Sequence, residues 1–189
     1  MGARWPIRRF DRRMTTPAAT LAVLPSAPSL AARQLLAGAL AVALGDGLEA
    51  VLFFGWRGYS PQRIFQSVAS GVLGEAAFDG GWPAAVLGLG LHICVATGIV
   101  LTYAVVARYW PLLRRQWLAC GALYGVIAFL VMNRVVIPLS AVPPRPWPPS
   151  LPVLLNGIIG HVLVVGPPAA YFVYRALGPG DPRRGVHPR

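Results

Sequence analysis

Four stretches of the chain are almost continuously apolar: Leu35 to Phe54, Ala85 to Val106, Leu118 to Ile137 and Val153 to Tyr174. Each approaches the roughly 20 residues that a helix needs to cross about 30 Å of hydrocarbon at about 1.5 Å per residue. Four transmembrane helices are therefore predicted. The connection after the first follows a different pattern. Ser60 and Pro61 make an N-cap and first-turn signal, and Ile64, Phe65, Val68, Ala69, Val72, Leu73 and Ala76 then recur at helical spacing. Gln62, Arg63, Gln66, Ser67, Ser70 and Glu75 occupy the other side, so the segment from Pro61 to about Phe78 is predicted to be an amphipathic helix lying at the interface without crossing. From Ala141 to Pro152 the chain is too rich in proline for a regular element to propagate.

Ionisable residues interrupt the apolar runs. Asp46 and Glu49 lie in the first, His92 in the second, His161 in the fourth, and Arg134 near the end of the third. An Asp or Arg at the centre of an inserted helix costs about 2.5 to 3.5 kcal/mol, so such residues face a bundle interior and find partners. By helix rise, Asp46 falls near mid-span and Glu49, His92 and His161 about one turn outward, with Asn133, Arg134 and Asn156 further out on the same side. Asp46, Glu49, His92 and His161 form the candidate buried polar site, with Asn133, Arg134 and Asn156 as supporting polar residues on a route outward. Glu49, His92 and His161 are expected within hydrogen-bond or single-water reach of one another. Asp46 and Glu49, three residues apart, share a helix side and can hold one proton between them. The plainer alternative is that each polar side chain satisfies a neighbour across a helix interface. Arg134, angled away from Gly121 and Gly125, is expected to reach for the headgroups.

Composition narrows the class. The chain has 189 residues, 56% hydrophobic and 12% charged, which is too apolar for an ordinary soluble domain and short enough for one bundle. The fold expected is all-α: a polytopic four-helix membrane bundle over 35–175 with the added interfacial helix, an Arg-rich tail over 1–34 and a second tail over 176–189. All seventeen basic residues are Arg, and thirteen of them fall in the two tails and the connection between the second and third spans. Only Arg57, Arg63, Arg134 and Arg145 fall on the other side. That bias is a topology signal that places both termini in the cytoplasm, and it argues against nucleic acid as the partner of the charge. Trp56, Trp82, Trp110, Trp117 and Trp147 sit near span ends as an aromatic belt. Pro25 and Pro28 break the short run from Ala18 to Leu24, against a cleaved signal, and Met14 is an alternative start. Cys94 and Cys120 read as buried small hydrophobes rather than a disulfide.

Small residues suggest how the helices meet. Gly121 and Gly125 form a G-x-x-x-G pair that suits either the bundle or a homo-oligomer, and Gly38, Gly45 and Glu49 share a side of the first span. Gly166, Pro167 and Pro168 should kink the fourth. A weak internal repeat relates Ala37 to Leu40 with Cys120 to Leu123, and pairs Gly88 and His92 with Gly157 and His161. From Leu91 to Arg175 the order His92, Tyr103, Pro111, Gln116, Gly121, Pro138-Leu139, Pro143-Pro144 and Gly160-His161 resembles the YagU-like family of bacterial inner-membrane proteins. The resemblance implies a four-helix inner-membrane fold and a link to acid resistance; it assigns no catalytic residue.

Three functions follow from these residues. One is a proton-responsive or ion-linked transport protein using Asp46, Glu49, His92 and His161. A second is a non-enzymatic assembly or interaction protein in which they are interhelical contacts. The third is a haem or metal redox protein with His92 and His161 as ligands, which the neighbouring carboxylates disfavour; no cofactor is predicted. Nucleotide loops, catalytic triads and H-E-x-x-H are missing from the sequence, so an enzyme is not the expectation.

Overall fold

The computed structural model describes Gly2 and residues 28–179, and the tails assigned from sequence lie largely outside them. Among these residues the chain is all-helical: α1 (Leu30–Trp56), α2 (Pro61–Leu73), α3 (Gly81–Tyr109), a short α4 (Leu112–Arg115), α5 (Trp117–Val131), α6 (Leu151–Gly160) and α7 (Gly166–Leu177). Four helical units are long and apolar enough to cross a membrane: α1, α3, α5 with its extension to Val136, and the continuous rod from Leu151 to Leu177. The ends carrying the α1–α2 turn and the Pro-rich loop are called here the distal end of the bundle.

Packing sorts side chains by size. Leu40, Leu44, Leu48 and Leu52 recur every fourth residue on α1 and all are exposed, as a helix facing lipid requires. The core instead joins Val42 and Ala43 of α1, Ala96, Val100, Tyr103, Ala104 and Ala107 of α3, and Val165, Ala169, Ala170 and Val173 around α7. Small interior residues let backbones approach where dispersion, not water exclusion, holds helices together. The last rod touches the other three. A Cβ on Gly38 would sit 2.7 Å from Phe172 and one on Gly45 would sit 2.6 Å from Val164, so the glycine side of α1 is fitted to that rod.

Gly121 and Gly125 are buried against the same rod. A side chain at Gly121 would meet Pro167 and Ala170, and one at Gly125 would run into the backbone of His161 and Val162. Within one chain the bundle uses this pair, with both glycines packed against the last rod. The cysteines differ from expectation: Cys94 is exposed and Cys120 half-buried.

The proline signals resolve into wider helical turns. Met132–Val136 and His161–Val165 are π-helical, the first just before Pro138 and the second just before Gly166, Pro167 and Pro168. Ile137 donates to the Met132 carbonyl five residues back at 2.9 Å. A proline offers no N–H to the ordinary four-residue ladder, and a π turn shifts that ladder: after His161–Val165 the helix runs on as α7, whereas Met132–Val136 closes its helix.

α2 begins as the sequence predicts, with the Ser60 hydroxyl accepting from the Arg63 amide at 3.2 Å and Pro61 in the first turn. A 3-10 turn over Gly74–Phe78 carries it to the expected end. Its orientation corrects the polar-side assignment. Gln66 and Ser70 are buried while Val72 and Leu73 are exposed. α2 packs on the distal half of α3, where Gly88 leaves room for the backbone of Phe65 and Ala69 and Gln66 donates to the Gly81 carbonyl at 3.1 Å. The Pro-rich loop forms no helix, and Ala141 pins it to α2 by donating to the Gly71 carbonyl at 3.0 Å.

Candidate functional site

Asp46, one helical turn past Val42, lies on the inner part of α1 beside Gly47, whose missing side chain leaves space for the His92 ring; a Cβ there would be 3.3 Å from Nε2. His92 Nε2 lies 2.9 Å from the Ala43 carbonyl oxygen, and its Nδ1 faces the Asp46 carboxylate at 4.0 Å. Phe65 of α2 packs edge-on against the same ring, with centroids 6.2 Å apart. A carbonyl only accepts, so Nε2 carries the hydrogen that holds it. In the neutral ring Nδ1 then presents a lone pair toward a carboxylate. The pair becomes attractive when one proton is added, on the imidazole or on the carboxyl.

His161 opens the second π turn. Its Nδ1 lies 2.9 Å from the Gly157 carbonyl oxygen, so by the same reasoning Nδ1 is the donor and Nε2 has no protein partner among the described residues. Phe129 flanks the ring edge-on at 5.4 Å between centroids. Asn133, in the other π turn, donates to the Phe129 carbonyl at 2.9 Å.

Two cavities tie these side chains together. The inner one, about 230 Å³, is lined by Asp46, His92, Asn133 and His161 among apolar residues that include Val42, Ala96 and Val165. The outer one, about 590 Å³, lies among α1, α2 and the Pro-rich loop and runs from Asp46, Gly47 and His92 past Ala50, Phe54 and Phe65 to Arg57, Tyr59, Arg63 and Arg145. Asp46, Val68 and His92 belong to both walls. The carboxylate and imidazole therefore stand in the wall shared by a distal vestibule and a smaller, mainly apolar chamber between the helices.

Three of the four candidate residues from the sequence are thus brought together, and Glu49 is not among them. Its carboxylate rests against Gly160, where a Cβ would be 3.4 Å from Cδ, with Asn156 as its polar neighbour. It lines neither cavity. Among the described residues neither histidine hydrogen-bonds or pairs with Glu49: three residues along a helix leave side chains about 60° apart, enough to set Glu49 against α6 while Asp46 faces α3. Asp46 remains within electrostatic reach of both Glu49 and His161. The expectation of a fully buried charged cluster is corrected, since among the described residues the buried polar side chains are Gln66 and Ser70, and Asp46, Glu49, His92 and His161 are half-buried. Arg134 is exposed, stacked over Trp147 at 5.3 Å, in keeping with its expected outward reach. Among the described residues no three His, Cys, Asp or Glu side chains are grouped as a metal ion would need.

Sequence reasoning missed Val68 and Phe65, the α2 side chains that close the site. It also missed the vestibule, because a cavity between a surface helix and a loop leaves no periodic trace. No family model matches the chain, and neither a curated protein nor a solved structure matches it.

Proposed function

We propose that this is a proton-responsive or ion-linked transport protein of the bacterial inner membrane, with both termini cytoplasmic and the distal end facing outward. The observation that carries the reading is that Asp46 and His92 are shared by a distal vestibule and a smaller chamber that His161 also lines. A proton entering from the distal side meets the Asp46–His92 pair, two side chains that can each carry it. The next open acceptor in the chamber is His161 Nε2. Depth in an apolar bundle gives the arrangement its selectivity, because an unpaired ion is costly there and a proton passed between fixed side chains is not. The resemblance to the YagU-like family, with its link to acid resistance, fits the same reading.

The alternative, interhelical contact alone, draws on the bonds from His92 to Ala43 and from His161 to Gly157. Proton flux into liposomes separates the two. Under an inward proton gradient the wild-type chain should acidify the lumen, and Asp46→Asn and His92→Gln should lose most of that flux while retaining their yield in the membrane. Equal loss of yield and flux, or no flux from the wild type, would contradict the proton reading.

A further inference from the structure

The distal end of the bundle carries four arginines, Arg57, Arg63, Arg134 and Arg145, and three of them line one cavity. Arg57 comes from the end of α1, Arg63 from the first turn of α2 and Arg145 from the Pro-rich loop, so three separate segments each bring one cation to the same rim. Among the described residues none of the three forms an ion pair with a carboxylate. The acid in the cavity wall is Asp46, eleven residues before Arg57 on the same helix and therefore about 16 Å below it. Glu75 and Asp79, though close in sequence to Phe78, are not part of the wall.

Two of the three guanidinium groups are held against aromatic rings. Arg63 lies over the Phe78 ring at 4.0 Å and donates one guanidinium N–H to the Phe78 carbonyl at 3.3 Å. Arg57 lies over Phe53 at 5.3 Å. Guanidinium groups braced by aromatic faces keep several N–H donors free in a fixed plane, the geometry suited to an oxyanion held by paired hydrogen bonds. Tyr59 adds a hydroxyl to the same wall. Like charges gathered without counterions repel one another, and an anion removes that repulsion.

We propose that the vestibule rim is an oxyanion-binding site that takes a phosphate group through Arg57, Arg63 and Arg145. The phosphate can come from a soluble monoester or from a phospholipid headgroup, since the arginines read only the shared group. The site stands apart from the proton reading: it uses different side chains and is measured by binding, so either can fail without the other.

The test uses the purified full chain in a neutral detergent, with glycerol 3-phosphate as the soluble probe by calorimetry and phosphatidylglycerol against phosphatidylcholine as the lipid probe by native mass spectrometry. Arg57→Gln, Arg63→Gln and Arg145→Gln should each weaken phosphate binding by about tenfold, the value of one charge-assisted contact. Arg134→Gln should leave it unchanged, because Arg134 is on the same face but outside the cavity. Melting curves identify variants that fail to fold, and Arg63→Lys, which keeps the charge and loses the fork, should fall between wild type and Arg63→Gln. Binding of glycerol 3-phosphate with no preference for phosphatidylglycerol assigns the site to a soluble anion; selective retention of phosphatidylglycerol, lost in the same variants, assigns it to lipid. Binding of neither probe, or equal weakening by Arg134→Gln, overturns the site and leaves only a diffusely basic surface.

Discussion

At the residue scale, the site depends on which neighbour each polar side chain was given. Glycine decides much of this. Gly47 admits the His92 ring, Gly160 admits the Glu49 carboxylate, and Gly88 admits the α2 backbone. Gly88→Ala should therefore destabilise the protein by about 1 to 3 kcal/mol, because the added methyl meets the Phe65 carbonyl rather than a movable side chain. Gly90→Ala, with open space around it, should be neutral or slightly stabilising. Thermal melting of the two variants in one detergent checks the contrast, and equal melting temperatures would refute the close packing of α2 on α3. The residue types of the site were legible in the sequence because an ionisable group in an apolar run is conspicuous. Their grouping was only partly so. Depth along a helix follows from counting, but the direction around it depends on which helices pack where, and that is why Asp46 faces the chamber while Glu49 faces α6.

At the element scale, the four apolar helices and the Ser60-Pro61 start of α2 were plain from pattern and capping chemistry. The burial of Gln66 and Ser70 was not, since a helix with small residues on its polar side can turn that side inward when hydrogen bonds await it. Gln66 finds the Gly81 carbonyl, and Ser70 bonds the Ser67 carbonyl at 2.7 Å. Ser60→Ala should cost about 1 kcal/mol through the lost cap, seen as faster amide exchange confined to the first turn of α2; uniform exchange changes throughout the bundle would contradict a local role. Gly166, Pro167 and Pro168 announced a kink without revealing a π turn, and sequence reasoning missed the matching turn before Pro138; both turns line the inner chamber. Pro138→Ala restores an N–H and a better helix former. The variant should melt at or above the wild-type temperature yet carry less proton flux, because relaxing Met132–Val136 to an α-helix rotates Asn133 relative to the chamber. Unchanged flux would make that turn a plain accommodation of proline.

At the scale of the whole molecule, exposed leucines surround a core of alanine, valine and glycine, the inverse of a soluble bundle and the arrangement expected of helices immersed in lipid. If both chain ends are cytoplasmic as proposed, a periplasmic reporter should be inactive after Arg175 and active in the Pro-rich loop. The reverse pattern would turn the vestibule toward the cytoplasm. Above all, the molecule should hold water along one line: down the vestibule, past Asp46 and His92, into the chamber at His161. The most direct test is water-edited nitrogen-15 NMR of the full chain in bilayers, which follows the transfer of magnetisation from water to individual N–H groups. The His92 and His161 rings should receive it almost as fast as the Arg57 guanidinium at the rim, and much faster than the amide of Val100 in the dry core. A His161 ring as slow as Val100 would show the chamber to be sealed and dry, and would contradict a proton path through it.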